Sequence, residues 1–217
     1  GDCMRLSRAQ IIAVGTLFIM CGLLIFSSQY LLDKRNSLFE YINMQLYFNQ
    51  INDDPDDPDV VEPTPEPTPE PQPEPEPEVI TESYVAVLEI PEISLKKGIY
   101  ALGSRYNTVS RNVSILSPSQ YPDVQGGNFV LAAHSGNGYL SFFKNLYKMK
   151  SGDLINIYYN GYKYIYKYDN YYEVDKTGTV NVVRDKNKTA ITLITCKRNS
   201  KDKQLVFIGY LIDKVEY

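Results

Sequence analysis

Residues 53–78 hold ten prolines and eleven acidic side chains and no basic one. No other stretch constrains the fold so strongly. Proline has no amide hydrogen to give a helix or a ladder, and its ring clashes with the preceding helical turn. Prolines at nearly every second position therefore leave polyproline II as the favoured backbone, and like charges stiffen it. At ~3.1 Å per residue such a tract could reach ~80 Å. It predicts a spacer over residues 53–80 that holds a domain away from a surface. No aromatic or basic flank marks it as a ligand for a proline-binding partner.

Before the spacer the chain is apolar. Arg5 and Arg8 precede residues 9–32, which carry no charge. Such a run is long enough to cross a ~30 Å hydrocarbon core as a helix. A cleaved signal peptide competes with this reading, but the run leaves through Ser27-Ser28-Gln29-Tyr30, without a small-x-small cleavage pattern. The expectation is a retained transmembrane helix over 9–32, with residues 1–8 cytoplasmic and the rest outside. Lys34 and Arg35 nearly balance Arg5 and Arg8, so the positive-inside rule gives that orientation little support. In residues 33–52, Leu38, Phe39, Ile42, Leu46 and Tyr47 recur at helical spacing. They predict a juxtamembrane stem, either amphipathic or without a role of its own.

After the spacer the composition becomes globular. Residues 83–217 hold eighteen basic and eleven acidic side chains. The lysines are dispersed and no nucleic-acid motif accompanies them, so nucleic acid is not the expected partner. Residues 84–90 alternate and stop at Pro91. A second short strand is expected from Ile93 to Lys96, continuing through Gly98 to Tyr100. Residues 104–117 are polar and irregular. Gly126-Gly127 punctuates before an apolar strand at 128–133, which ends at His134 and the loop Ser135-Gly-Asn-Gly138. Tyr139, Phe142, Phe143 and Leu146 read as one face of a short helix. A strand at 153–158 meets Asn160-Gly161, a hairpin signal. A return strand follows at 162–169, and 171–174 continues or pairs. Two β-branched runs, 189–195 and 204–212, close the chain. About eight short strands with little helix predict a mainly β domain over 81–217, a barrel or sandwich. About 135 residues can bury an adequate core without disulfides.

The cysteines are Cys3, Cys21 and Cys196, and His134 is the sole histidine. With Cys3 and Cys21 in or before the apolar helix, Cys196 is left as a lone exported thiol, a pattern that flags reactivity. It sits where an apolar run gives way to a loop with Lys197, Arg198, Lys201 and Lys203. Nearby cations favour thiolate over thiol. Taken singly, each residue has a bland reading: Cys196 as a small apolar residue capping a core strand, and His134 as an inert loop residue. Taken together, both terminate buried strands, which suits Cys-His nucleophilic chemistry between groups far apart in sequence.

Ile191-Thr-Leu-Ile-Thr-Cys196 resembles the TLxTC signature of sortases, the membrane-anchored cysteine transpeptidases of Gram-positive surfaces. Asn128-Phe-Val-Leu-Ala-Ala-His134 is similar to their strand ending in the catalytic histidine. Phe142-Phe-Lys-Asn-Leu146, Lys150-Ser-Gly-Asp-Leu154 and Leu88-Glu-Ile-Pro91 resemble other family segments. The likeness covers about residues 84–217. It implies an eight-stranded sortase-like β-barrel in which Cys196 attacks the threonine carbonyl of an LPxTG-like sorting signal. His134 would protonate the leaving glycine amine, then activate the amine that resolves the thioacyl enzyme. That acceptor would be a peptidoglycan precursor amine or a pilin lysine.

One position departs from the pattern. Family members carry an arginine at the start of the last core strand, where this chain has Gln204. Gln204 can donate a hydrogen bond but brings no charge, and charge-assisted bonds are roughly twice as strong. Either Arg198, two residues past the thiol, takes over or Gln204 donates alone. Pilin-polymerising class C members carry a C-terminal membrane helix and an Asp-Pro-aromatic lid. This chain ends at Tyr217, and Asp54-Pro55 and Asp57-Pro58 lack the aromatic. A class D-like or housekeeping class A-like anchoring enzyme is therefore expected, with no cofactor and no metal. Two other readings stay open: a Cys-His peptidase that only hydrolyses, and a stalked surface-binding module in which both residues are structural.

Overall fold

The computed structural model describes residues 8–52 and 83–217. The predicted cytoplasmic tail, apart from Arg8, and the acidic spacer lie outside the described residues. The segments expected as anchor and stem form one helix, α1 (Arg8–Asn52). Its stretch Val14–Asn49 is long and apolar enough to cross a membrane. The chain divides into two compact units, Gly1–Ile42 and Asn43–Tyr217. The second takes in the last turns of α1 as well as the domain expected over 81–217.

Eight strands build that second unit, and they form one sheet in the order β2-β1-β5-β6-β8-β7-β4-β3. They are β1 (Ala86–Ile90), β2 (Leu95–Ile99), β3 (Ser114–Ile115), β4 (Asn128–Ala132), β5 (Leu154–Tyr159), β6 (Tyr162–Asp175), β7 (Ala190–Cys196) and β8 (Lys203–Glu216). The sheet curls into a nearly closed barrel. Its edge strands are β2 and β3, and the Asn112 side-chain amide donates to the Gly98 carbonyl at 2.8 Å across that seam. The neighbouring strands pair antiparallel except β4 and β7, which run parallel. Inside, Phe129, Leu131, Ile191, Leu193 and Phe207 join Phe143 and Leu146 in the main core. The alternate residues of the same strands face outward, as a two-residue period requires. Val130, Ala132, Ile194, Val206 and Ile208 form a second, smaller cluster there.

The hairpin expected at Asn160-Gly161 joins β5 to β6, with φ of 51° and 76° at the two residues. Both angles are positive, which the I′ turn needs and which Asn and Gly tolerate best. The return strand is a single element of 14 residues rather than two pieces. Register shifts at Ile165/Tyr166 and Tyr168/Asn170 let it follow the barrel wall.

Two expectations are corrected. No strand begins at Ile93: Pro91–Ile93 is a 3-10 turn that ends at Ser94 with φ 52°, and β2 starts at Leu95. Proline at the first position favours that turn. No α-helix spans Tyr139 to Leu146 either. The Phe143 amide donates to the His134 carbonyl at 3.0 Å, which removes it from a helical ladder. Phe143 and Leu146 are still buried, with a 3-10 turn only at Leu146–Lys148. In the stem, Leu38, Phe39, Ile42 and Leu46 are exposed and Tyr47 alone of the predicted stripe is buried.

Gly98 is held to its size by Tyr84, which is buried over it. A methyl group there would lie 2.1 Å from a Tyr84 ring carbon. Overpacking of this kind costs about 1–3 kcal/mol. Gly98→Ala is expected to lower the denaturant midpoint accordingly, and Tyr84→Ala in the same chain to recover part of the loss; an unchanged midpoint would contradict this packing.

Candidate active site

The site is set by the register of β4 against β7. Asn128 pairs with Ala190 and the offset holds through Ala132 and Ile194. The Ala133 amide extends the ladder to the Ile194 carbonyl at 3.2 Å. Carried two residues past the ladder, the same offset brings His134 level with Cys196. Both strands are apolar and covered on both faces, as parallel strands generally are. Two side-chain bonds hold their ends together. The buried Thr195 hydroxyl donates to the Ala133 carbonyl at 2.7 Å, and the Ser135 hydroxyl donates to the Cys196 carbonyl.

On its other side β7 pairs with β8, and Cys196 stands opposite Gln204. Strand alternation puts His134, Cys196 and Gln204 on the face of Ala132, Ile194 and Val206, outside the main core. Cys196 is partly exposed and His134 is exposed. A reactive thiol needs that access, whereas a structural cysteine would be enclosed.

Of the predicted site residues, His134, Cys196 and Arg198 line one cleft of about 270 Å³, with Asn137 and Lys197 at its sides. Arg198 lies in the β7–β8 loop, which the Lys197 amide closes onto the Lys203 carbonyl at 2.9 Å. Its guanidinium donates to the Asn137 side-chain oxygen at 2.7 Å and lies 5.5 Å from the Tyr147 ring centroid. Lys197 and Lys203 are engaged elsewhere, each 2.6 Å from a β6 carboxylate, Glu173 and Asp175. Gln204 is not among the residues lining the cleft. Among the described residues no group of His, Cys, Asp and Glu is arranged to hold a metal ion.

A larger groove of about 690 Å³ opens on the same outer face. Its floor is Asn128 and Val130 of β4 with Ile194 of β7, two residues before the thiol. Leu116 and Pro118 form one wall, and Thr179, Val180 and Val182 of the β6–β7 connection form the other. The sequence reading made nothing of that connection, which has neither strand nor helix periodicity. Side chains from the barrel pin it in place. The Tyr172 hydroxyl accepts from the Val183 amide at 2.7 Å and donates to the Asn181 carbonyl at 3.3 Å. The Tyr210 hydroxyl accepts from the Asp185 amide at 2.9 Å. Arg184 donates to the carbonyls of Asp185, Lys188 and Gly126 at 3.0–3.2 Å. Asn137 and Tyr147 were also missed. Their place beside Arg198 depends on the turn structure after His134, and no local pattern encodes it.

A nearly closed β-barrel with a cysteine and a histidine at matching strand ends, both lining one cleft, defines a candidate cysteine-nucleophile enzyme. The comparisons make the class specific. A family model described as Sortase domain matches residues 88–212. Sortase A of Bacillus anthracis is 33% identical over 120 residues, which are 52% of this chain and 54% of that protein. The chain thus spans about half the length of that curated relative. Among solved structures, a lid mutant of sortase A from Corynebacterium diphtheriae is similar at 29% identity, with a TM-score of 0.55 over 63% of this chain and 74% of the other. A lid mutant of Streptococcus agalactiae sortase C1 gives 27% and 0.54, over 63% and 73%. The chain belongs to the sortase family.

The groove wall gives a prediction that needs no substrate. Tyr172→Phe removes the acceptor of the Val183 amide and the donor to Asn181. A net hydrogen bond contributes about 1 kcal/mol, or roughly fivefold in an opening equilibrium. Amide exchange at Val183 is expected to speed up by at least that factor while β4 and β7 keep their protection. Unchanged exchange at Val183 would mean that the wall is held by packing alone.

Proposed function

We propose that this chain is a membrane-anchored cysteine transpeptidase that cleaves an LPxTG-like sorting signal and transfers the surface protein to an amine. The observation that supports this reading is the shared β4–β7 register, whose offset brings His134 level with Cys196, together with the cleft that both residues line. An extended peptide lying along β4 and β7 reaches the thiol with its scissile bond.

The chemistry follows from the groups present. The Cys196 thiolate attacks the threonine carbonyl carbon and forms a C–S bond, which pushes the carbonyl electrons onto oxygen. The Arg198 guanidinium, held by Asn137, supplies the positive charge for that oxyanion; removing one such donor costs about 10²–10³ in rate. As the tetrahedral centre collapses, the C–N bond breaks and His134, as imidazolium, protonates the departing glycine amine. A thioester to Cys196 remains. The acceptor amine then attacks the thioester carbonyl while neutral His134 takes its proton, and Cys196 leaves as thiolate. The acceptor is a peptidoglycan precursor amine or a pilin lysine. The class A-like or D-like anchoring role and the outward-facing barrel, with a cytoplasmic N-terminus and α1 in lipid, complete the proposal.

The test is turnover of a library of sorting-signal peptides by the full chain in detergent, with and without an added amine. Cys196→Ala and His134→Ala are expected to give no transfer product. Product that forms equally without amine would identify a hydrolase instead. Arg198→Ala is expected to lose about a hundredfold in kcat/KM and more than Gln204→Ala. Arg198→Ala with wild-type turnover would transfer the electrostatic role to Gln204.

A further inference from the structure

The end of α1 is packed into the barrel unit. Tyr47 is 5% exposed. Its hydroxyl donates to the Tyr158 carbonyl on β5 at 2.9 Å. Phe48 meets the Tyr158 ring edge-on at 5.4 Å and the Tyr217 ring at 5.7 Å between centroids. The Lys96 ammonium lies 5.0 Å from the Phe48 ring centre and 5.5 Å from that of Tyr158. The Tyr217 hydroxyl reaches the Tyr47 hydroxyl at 3.4 Å. Met44, Tyr47 and Phe48 fall at i, i+3 and i+4, one face of a helix. They share a cluster with Tyr84, Val87 and Tyr158.

The position of Tyr84 in that cluster is decisive. The tract begins after Tyr47 and Phe48 and ends just before Tyr84. Both of its flanks therefore meet in a single apolar cluster, whereas a stalk would hold them apart.

We propose that residues 43–49 are a docking element for the outer face of β1 and β5, so that the described residues on either side of the acidic proline tract belong to one folded unit. The partner of this surface is a segment of the same chain. Docking ties residues 43–49 to the barrel unit independently of the tract between them. This inference does not rest on the proposed chemistry.

The chain contains no tryptophan, so Phe48→Trp installs a single fluorescent reporter in the docking face. The experiment uses the full chain in lipid nanodiscs, quenched either by acrylamide from water or by brominated acyl chains from the bilayer. Docking predicts a blue-shifted emission and acrylamide quenching roughly fivefold weaker than in the Tyr47→Ala, Phe48→Trp chain, as expected when a local unit opens. It also predicts little quenching by the brominated lipid. Equal acrylamide quenching in the two chains, or strong quenching by brominated lipid, would overturn the docking. Amide exchange of the wild-type chain guards against a misfolded reporter. Protection of residues 44–48 is expected to fall on Tyr158→Ala while β4 and β7 stay protected. Protection that survives Tyr158→Ala would assign it to lipid and overturn the proposal equally.

Discussion

Two parallel strands set the position of the candidate pair, His134 and Cys196. β4 and β7 are adjacent in the sheet although some sixty residues separate them, and their pairing keeps one offset from Asn128 and Ala190 to their ends. A slip of one residue would turn Cys196 from the outer face into the barrel and displace it from His134. The buried faces forbid that slip, because Phe129, Leu131, Ile191 and Leu193 would leave the core together. Core packing thus fixes the geometry of a pair that is itself exposed. The Thr195 and Ser135 hydroxyls add a polar clip where the apolar strands end. This arrangement puts the precision in the scaffold and the chemistry at its rim, as loop-borne sites on rigid frames do.

Around this fixed pair the loops are less arbitrary than their sequences look. The β6–β7 connection has no regular structure, yet Tyr172, Tyr210 and Arg184 each satisfy backbone groups along it. A groove wall built in this way is pre-formed, and binding a peptide then costs less ordering than folding a free loop around it. The β7–β8 loop is treated differently. Its lysines at 197 and 203 are drawn to β6 carboxylates, while Arg198 is turned to Asn137 and Tyr147 beside the cleft. The strand position opposite the thiol is left to an uncharged amide, Gln204. Under the proposed function the positive charge beside the thiol comes from Arg198 in this loop and not from that strand position.

The sequence disclosed those features that depend on local periodicity or on rare residues. Alternation revealed β1, apolar and β-branched runs revealed β4, β7 and most of β8, and Asn160-Gly161 marked a hairpin beside β5 because few other pairs accept two positive φ angles. A sole histidine and a lone exported cysteine at strand ends pointed to each other. What stayed hidden depended on distant contacts. The β3 strand has two residues, too few for any period to show. The expected helix after His134 failed because its key amide bonds to the His134 carbonyl. The stem's docked face was masked by a longer apolar stripe whose residues are mostly exposed. Asn137, Tyr147 and Tyr172 gained their roles from loops folding back on the barrel, and nothing in their own neighbourhoods announced it.

The central claim is that Cys196, aligned with His134 by the β4–β7 register, carries the acyl group of a sorting signal as a thioester. Intact-mass spectrometry of the full chain, quenched in acid after mixing with an LPxTG-like peptide, tests it directly. The account predicts a mass increase equal to the peptide cut after threonine, mapped to Cys196 and discharged by hydroxylamine. His134→Ala should leave that species absent or very slow to form. Peptide cleavage with no adduct on Cys196, or an adduct carried equally by the Cys196→Ser chain on another residue, would contradict it.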